Sequence, residues 1–155
     1  MWRVISVKKR NWFTMVAAVF FIGCASNEIK PVDLFPEDQC AQCRMTVSND
    51  AFASEIITNE GEVLKFDDLG CLEQFVKSRD ELVAAAIFVK DYDSRTWLTK
   101  EQSFIVRTSL KTPMGSGNVA FADSLKAKQL IQLYPPQEGR ASEAAICSCC
   151  NIKGK

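Results

Sequence analysis

Twice in this chain a short alternating run leads straight into an aspartate and then into a helical pattern. Val63-Leu64-Lys65-Phe66 precedes Asp67-Asp68, and Asn118-Val119-Ala120-Phe121 precedes Ala122-Asp123. Alternation every second residue is the mark of a strand with one buried face, and aspartate is a preferred helix cap. Beyond the first step Leu69, Leu72, Phe75 and Val76 recur at helical spacing; beyond the second, Leu125, Leu130, Ile131 and Leu133 do. A chain of 155 residues that twice passes from strand to helix without a linker has room for one small mixed domain.

The neighbouring segments extend the pattern. Residues 53–58, with Ile56-Ile57, read as a strand, and Asn59-Glu60-Gly61 is a turn signal joining it to the run 62–66 as a hairpin. Residues 84–92 read as a further strand after the first helix, giving β-β-α-β. The second half echoes this with strands at 96–99, 104–107 and 118–121 and a helix from Asp123 or Ser124 to Leu133. Asp67, Asp68 and Asp123 are read as caps. Trp97, near a strand start, is expected to pack between the halves. The fold class is therefore α+β: two related β-β-α-β halves, about 38–92 and 93–134, sharing a core within a domain of residues 38–134. Pro135-Pro136 stops the last helix, and residues 137–155 read as a tail. Residues 135–155 as a whole are expected to be flexible.

The N-terminus carries the pattern of an export signal. Lys8-Lys9-Arg10 forms a cationic region, and Trp12 to Ile22 forms an apolar one shorter than the roughly 20 residues of a membrane span. Gly23-Cys24 after that run resembles a bacterial lipobox, although Phe21 stands where leucine is usual. On this reading residues 1–23 are a signal peptide, Cys24 is lipidated, and residues 24–37 carry the lipid and a short polar tether with Pro31 and Pro36. No aspartate directly follows Cys24, which by resemblance to sorting in two-membrane bacteria permits the outer membrane, facing the periplasm.

The signal also corrects the charge balance. The chain has 19 basic and 19 acidic residues, and the signal takes four of the cations: Arg3, Lys8, Lys9 and Arg10. What remains is 19 − 4 = 15 basic against 19 acidic residues, a net charge of −4 with no footprint for nucleic acid.

Sulfur is where the chemistry concentrates. There is no histidine, so the usual general base is missing and no Ser/His/Asp or paired-carboxylate constellation is present. The two methionines beyond the signal both sit in motifs: Met45 closes Cys40-Ala41-Gln42-Cys43-Arg44-Met45, and Met114 lies in Thr112-Pro113-Met114-Gly115-Ser116-Gly117. Thiolates and thioethers without imidazole are the donor set that soft Cu(I) prefers. Zinc would want a second cysteine pair or histidines.

Three readings of Cys40-x-x-Cys43 stand side by side: a metal pair, a redox dithiol and a local disulfide. The redox reading makes the chain an extracytoplasmic thiol-disulfide oxidoreductase, but such sites open a helix after a buried strand, whereas this one precedes a hairpin. A bridge between such near neighbours would stabilise little. Met114 alone reads as a core plug in a turn; paired with the first motif it reads as a ligand. Cys71 reads as a small buried hydrophobe. Cys147-Ser148-Cys149-Cys150 is either a sulfur-rich arm for passing copper or a segment without a defined role.

These segments in order resemble the NosL family, lipoprotein accessory factors of nitrous oxide reductase maturation. The resemblance rests on Gly23-Cys24, Cys40 to Met45, Gly61 through Phe66-Asp67-Asp68 with Cys71, Asp91-Tyr92, Trp97, Thr112-Pro113-Met114-Gly115 and Val119-Ala120-Phe121. It implies a Cu(I) site of sulfur donors, carried over to Cys40, Cys43, Met45 and Met114, and a metallochaperone rather than an enzyme. It implies partners as well: a copper enzyme such as nitrous oxide reductase, or accessory proteins of its maturation, met at the membrane through the lipid on Cys24. Two departures stand out. Family members often carry glycine where this chain has Arg44, and the Cys-Ser-Cys-Cys tail is not part of the pattern.

Overall fold

The computed structural model describes residues 28–136. The expected signal peptide, lipidated Cys24 and cysteine-rich tail lie outside the described residues. Among the described residues, six strands and two α-helices follow in order: β1 (Ser54–Thr58), β2 (Val63–Phe66), α1 (Leu69–Lys77), β3 (Ala84–Lys90), β4 (Trp97–Thr99), β5 (Phe104–Arg107), β6 (Asn118–Phe121) and α2 (Ser124–Leu133). The architecture is mixed α and β with antiparallel sheets, as the alternation and capping signals require.

The hairpin forms where the turn signal stands. Ile56 pairs with Leu64 and Ser54 with Phe66, while Gly61 takes φ +85°, open to glycine without strain. Both aspartate steps become helix starts: Asp68 accepts from the Gly70 amide and Asp123 from the Leu125 amide. Asp67 is not a cap; its role appears in the site below.

The sheets do not divide at the expected boundary between halves. The first has the order β2-β1-β3-β4, so β4, from the second half of the sequence, pairs with β3 of the first; β5 and β6 form a separate two-stranded ribbon. Burial follows the two-residue period of β6. Ala120 joins Ile56, Phe66, Leu72, Phe75, Ile87 and Val89 beneath α1, whereas Val119 and Phe121 join Phe52 and Ala127 beneath α2. One strand thus stitches two cores together. Trp97 sits on the edge strand β4 opposite Lys90, whose ammonium lies 4.4 Å from its ring.

The face of the first sheet away from α1 holds charge, which the sequence pattern did not announce. Glu55 and Lys65 face each other there across β1 and β2, and both are buried. Such groups need partners, and the segment expected to be a polar tether supplies them. The Val32 amide donates to Glu55 Oε1 at 2.8 Å, and Lys65 Nζ donates to the Asp33 carbonyl and to Asp38 Oδ2, each at 2.6 Å. From Val32 to Asp38 this segment is therefore a strap laid over the sheet. It delivers the chain to the first cysteine motif.

Candidate metal centre

The strap ends in a tight loop that carries the cysteine pair. Gln39 and Thr46 form an isolated antiparallel bridge, the Cys40 amide donates to the Met45 carbonyl at 2.7 Å, and the Arg44 amide donates to the Cys40 carbonyl at 2.9 Å. Closing so small a loop forces one residue into the left-handed region, and Arg44 takes it at φ +66°. The loop is fastened to the sheet by the Ala41 amide, which donates to the Lys65 carbonyl at 2.8 Å.

That fastening turns Cys40 inward. It is fully buried among the core residues under α1, with backbone hydrogen bonds from Cys43, Asp67 and Gln42. Cys43, three residues on, stays half-buried, and its thiol donates to Asp67 Oδ1 at 3.7 Å. Cys71, in the first turn of α1, is 3% exposed and completes the group. Ligand atoms of Cys40, Cys43, Asp67 and Cys71 all lie within 4.8 Å of one another. Cys40 and Cys43 are brought together as expected, and the structure adds Cys71 and Asp67 to them.

Electrostatics sharpen the picture. Burial pushes the Cys40 thiol up, and the three backbone hydrogen bonds pull it back only in part. The Cys71 thiol is pushed far above the ordinary range, first by burial and then by the neighbouring Cys40, Asp67 and Cys43. Both groups are therefore protonated at neutral pH until something stronger than a proton claims the sulfur, which a thiophilic ion does. Three thiolates and a carboxylate make four donors, enough for zinc by number. The predominance of sulfur and the absence of imidazole suit Cu(I) better.

The methionines occupy a different setting. Met45 is 57% and Met114 45% exposed, so neither is a core plug. Met114 is held nonetheless: its amide donates to Asp68 Oδ2 at 3.0 Å, and Thr112 Oγ1 donates to the same oxygen at 2.6 Å. The turn 112–117 thus docks on the start of α1, next in sequence to Asp67 and three residues before Cys71. Ser116 closes the dock so tightly that a Cβ on Gly70 would lie 2.6 Å from its own Cβ.

Cys71 was read from sequence as core filler and Asp67 as a cap. The signal that could have found them is their closeness in sequence at a strand-to-helix step, with Asp67 just ahead of the cap Asp68 and Cys71 in the first turn. What that closeness could not show is that the cysteine loop packs against this step.

A family model described as NosL matches residues 31–140. Among solved structures, the crystal structure of the copper chaperone NosL from Shewanella denitrificans is similar with a TM-score of 0.63 and 17% sequence identity. The match covers 70% of this chain and 90% of that one. At such identity the likeness is one of fold. No curated protein matches the sequence.

Proposed function

The chain belongs to the NosL family, and from that premise we propose that it is an exported, lipid-anchored Cu(I) chaperone rather than an enzyme. Copper is its cargo. Thiolates of Cys40 and Cys43 take the ion, and the thioethers of Met45 and Met114 complete a low-coordinate site that can still release it. The acceptor is a copper enzyme such as nitrous oxide reductase, or an accessory protein of its maturation. The lipid on Cys24 keeps the exchange at the outer membrane, on its periplasmic side.

The observation that carries this reading is the pairing of the Cys40 and Cys43 thiols, whose sulfurs lie within 4.8 Å of each other. Soft donors in that arrangement match a soft monovalent ion. The burial gradient supports it further: Cys40 is sealed off, while Cys43 still meets solvent. An acceptor's sulfur can attack from the Cys43 side without unfolding the domain. The exposed methionines suit transfer for the same reason, since a thioether at the surface is a weak, exchangeable ligand.

The deciding experiment is an anaerobic titration of the reduced protein with Cu(I) against a competing chelator, with native mass spectrometry to count ions. Retention of copper by the wild type, lost in Cys40→Ser and Cys43→Ser and weakened in Met114→Ala, is the expected result. A reduced protein that holds no copper would overturn the proposal. Thiol-disulfide exchange that needs Cys40 but is indifferent to Met45 and Met114 would favour an oxidoreductase instead.

A further inference from the structure

The reading above uses two thiols from one loop, yet the pocket they face contains a third. We infer that Cys71 is a copper ligand, so that the resting ion sits among the sulfurs of Cys40, Cys43 and Cys71, with Asp67 as a positioning residue. This deepens the proposed function and rests on it.

The geometry fits an ion held in common. Sulfurs bound to one metal at about 2.3 Å lie about 4 Å apart, and these three are already within 4.8 Å of one another without rearrangement of the chain. Their origins differ in a useful way. Cys40 and Cys43 ride on a loop, whereas Cys71 is fixed in α1 among Leu69, Leu72 and Phe75. A ligand set drawn from a loop and a packed helix is held open in advance, so binding orders little that was free. Asp67 is 2% exposed and accepts from the Cys43 thiol, which holds that side chain in place until the ion displaces its proton.

Loading is an exchange of ligands with no electron moved. Each participating S–H bond gives way to a Cu–S bond, one proton leaves to solvent for each, the donor's ligands depart, and copper stays monovalent. A three-sulfur resting site also separates storage from transfer. Buried Cys40 and Cys71 and half-buried Cys43 hold the ion, and the exposed thioethers of Met45 and Met114 join as it passes to the acceptor.

Two measurements test this. In the full chain, Cys71→Val keeps the bulk of the side chain and removes the donor. Cu(I) affinity should fall by tenfold or more while the circular dichroism of the domain is unchanged. The second leaves position 71 intact. With Cys147, Cys149 and Cys150 changed to serine and Met45 and Met114 to leucine, the sulfur donors left among the candidates are Cys40, Cys43 and Cys71. X-ray absorption of the copper-loaded variant should then count three sulfurs per ion. Two sulfurs there, or wild-type affinity in a folded Cys71→Val protein, would overturn the role of Cys71 while leaving a Cys40–Cys43 chaperone standing. A wild type without bound copper would instead remove the underlying reading.

Discussion

Asp68 and Met114, 46 residues apart, are joined by a hydrogen bond of 3.0 Å from the Met114 amide to Asp68 Oδ2. The same carboxylate caps α1, accepting from the Gly70 amide at 2.6 Å through its other oxygen, and takes the Thr112 hydroxyl as well. Its neighbour Asp67 accepts from the Cys43 thiol. Two consecutive aspartates at one helix start therefore tie down both sulfur motifs. The strand-to-helix step is thus the anchor that both share.

Asp68→Asn tests that tie. An amide keeps one acceptor oxygen, so it cannot serve the helix cap and also accept from both Thr112 and Met114. Losing a cap costs about 1 kcal/mol, and each buried group left without its charged partner costs about 1–3 kcal/mol. The variant should be destabilised by about 2–4 kcal/mol in denaturant melts, with hydrogen exchange accelerated at Met114. Unchanged protection at Met114 would show that the turn is held by something else.

Gly70→Ala sets two effects against each other. Alanine in a helix interior is favoured over glycine by about 1 kcal/mol. Here, however, the added Cβ would stand 2.6 Å from Ser116 Cβ and 3.0 Å from Asp68 Oδ1. Overpacking of this kind costs about 1–3 kcal/mol, so the single variant should be less stable than wild type. Pairing it with Ser116→Gly removes the nearest obstacle. The double variant should recover most of the loss, giving a coupling energy of about 1 kcal/mol or more in a thermodynamic cycle. Additive effects would mean the turn yields freely.

Local order was legible where a residue's neighbours in sequence are also its determinants. Alternation marked β2 and β6, Asn59-Glu60-Gly61 marked the hairpin, and Asp68 and Asp123 marked helix starts. The cysteine pair was legible too, because its spacing is itself the signal. Cys71 and Asp67 were not, since their part in the site depends on a loop 24 residues or more upstream folding onto α1. The buried pair Glu55 and Lys65 was hidden for a similar reason. In β1 every residue is buried, so the usual polar-out pattern gave no hint that residues 32–38 cover the outer face. Likewise β4 was assigned to the second half by sequence order, while its pairing with β3 is a matter of tertiary packing.

Arg44→Gly should stabilise the protein. Arg44 holds φ +66° so that the cysteine loop can close, and a left-handed non-glycine residue costs about 1–3 kcal/mol. Glycine returns about 0.5–1 kcal/mol of that as lost backbone entropy. The net gain is about 1 kcal/mol, visible as a higher melting temperature. Because the hydrogen bonds that close the loop run between backbone atoms and none uses the Arg44 side chain, Cu(I) affinity should hold or rise. A drop in stability would mean that the Arg44 side chain makes an interaction worth more than the backbone strain.

Glu55 makes the folded domain sensitive to pH in an unusual direction. Burial pushes its carboxyl above the ordinary value of 4.5; the Val32 amide, Lys65 and Lys90 oppose that shift and Asp38 adds to it. Its Oε2 atom is buried and has no hydrogen-bond partner among the described residues. A group whose folded value lies above its unfolded one binds its proton more tightly when folded. Its contribution to stability is thus complete below about pH 4.5 and is lost as pH rises through the folded value. Glu55→Gln keeps an acceptor for the Val32 amide and cannot ionise. The advantage of the variant over wild type should therefore be small in acid, grow as pH rises above 4.5, and level off once Glu55 is fully charged. Melting temperatures of the two proteins measured across that range check it. An advantage that shrinks with rising pH would mean that Lys65 and Lys90 more than compensate the buried charge.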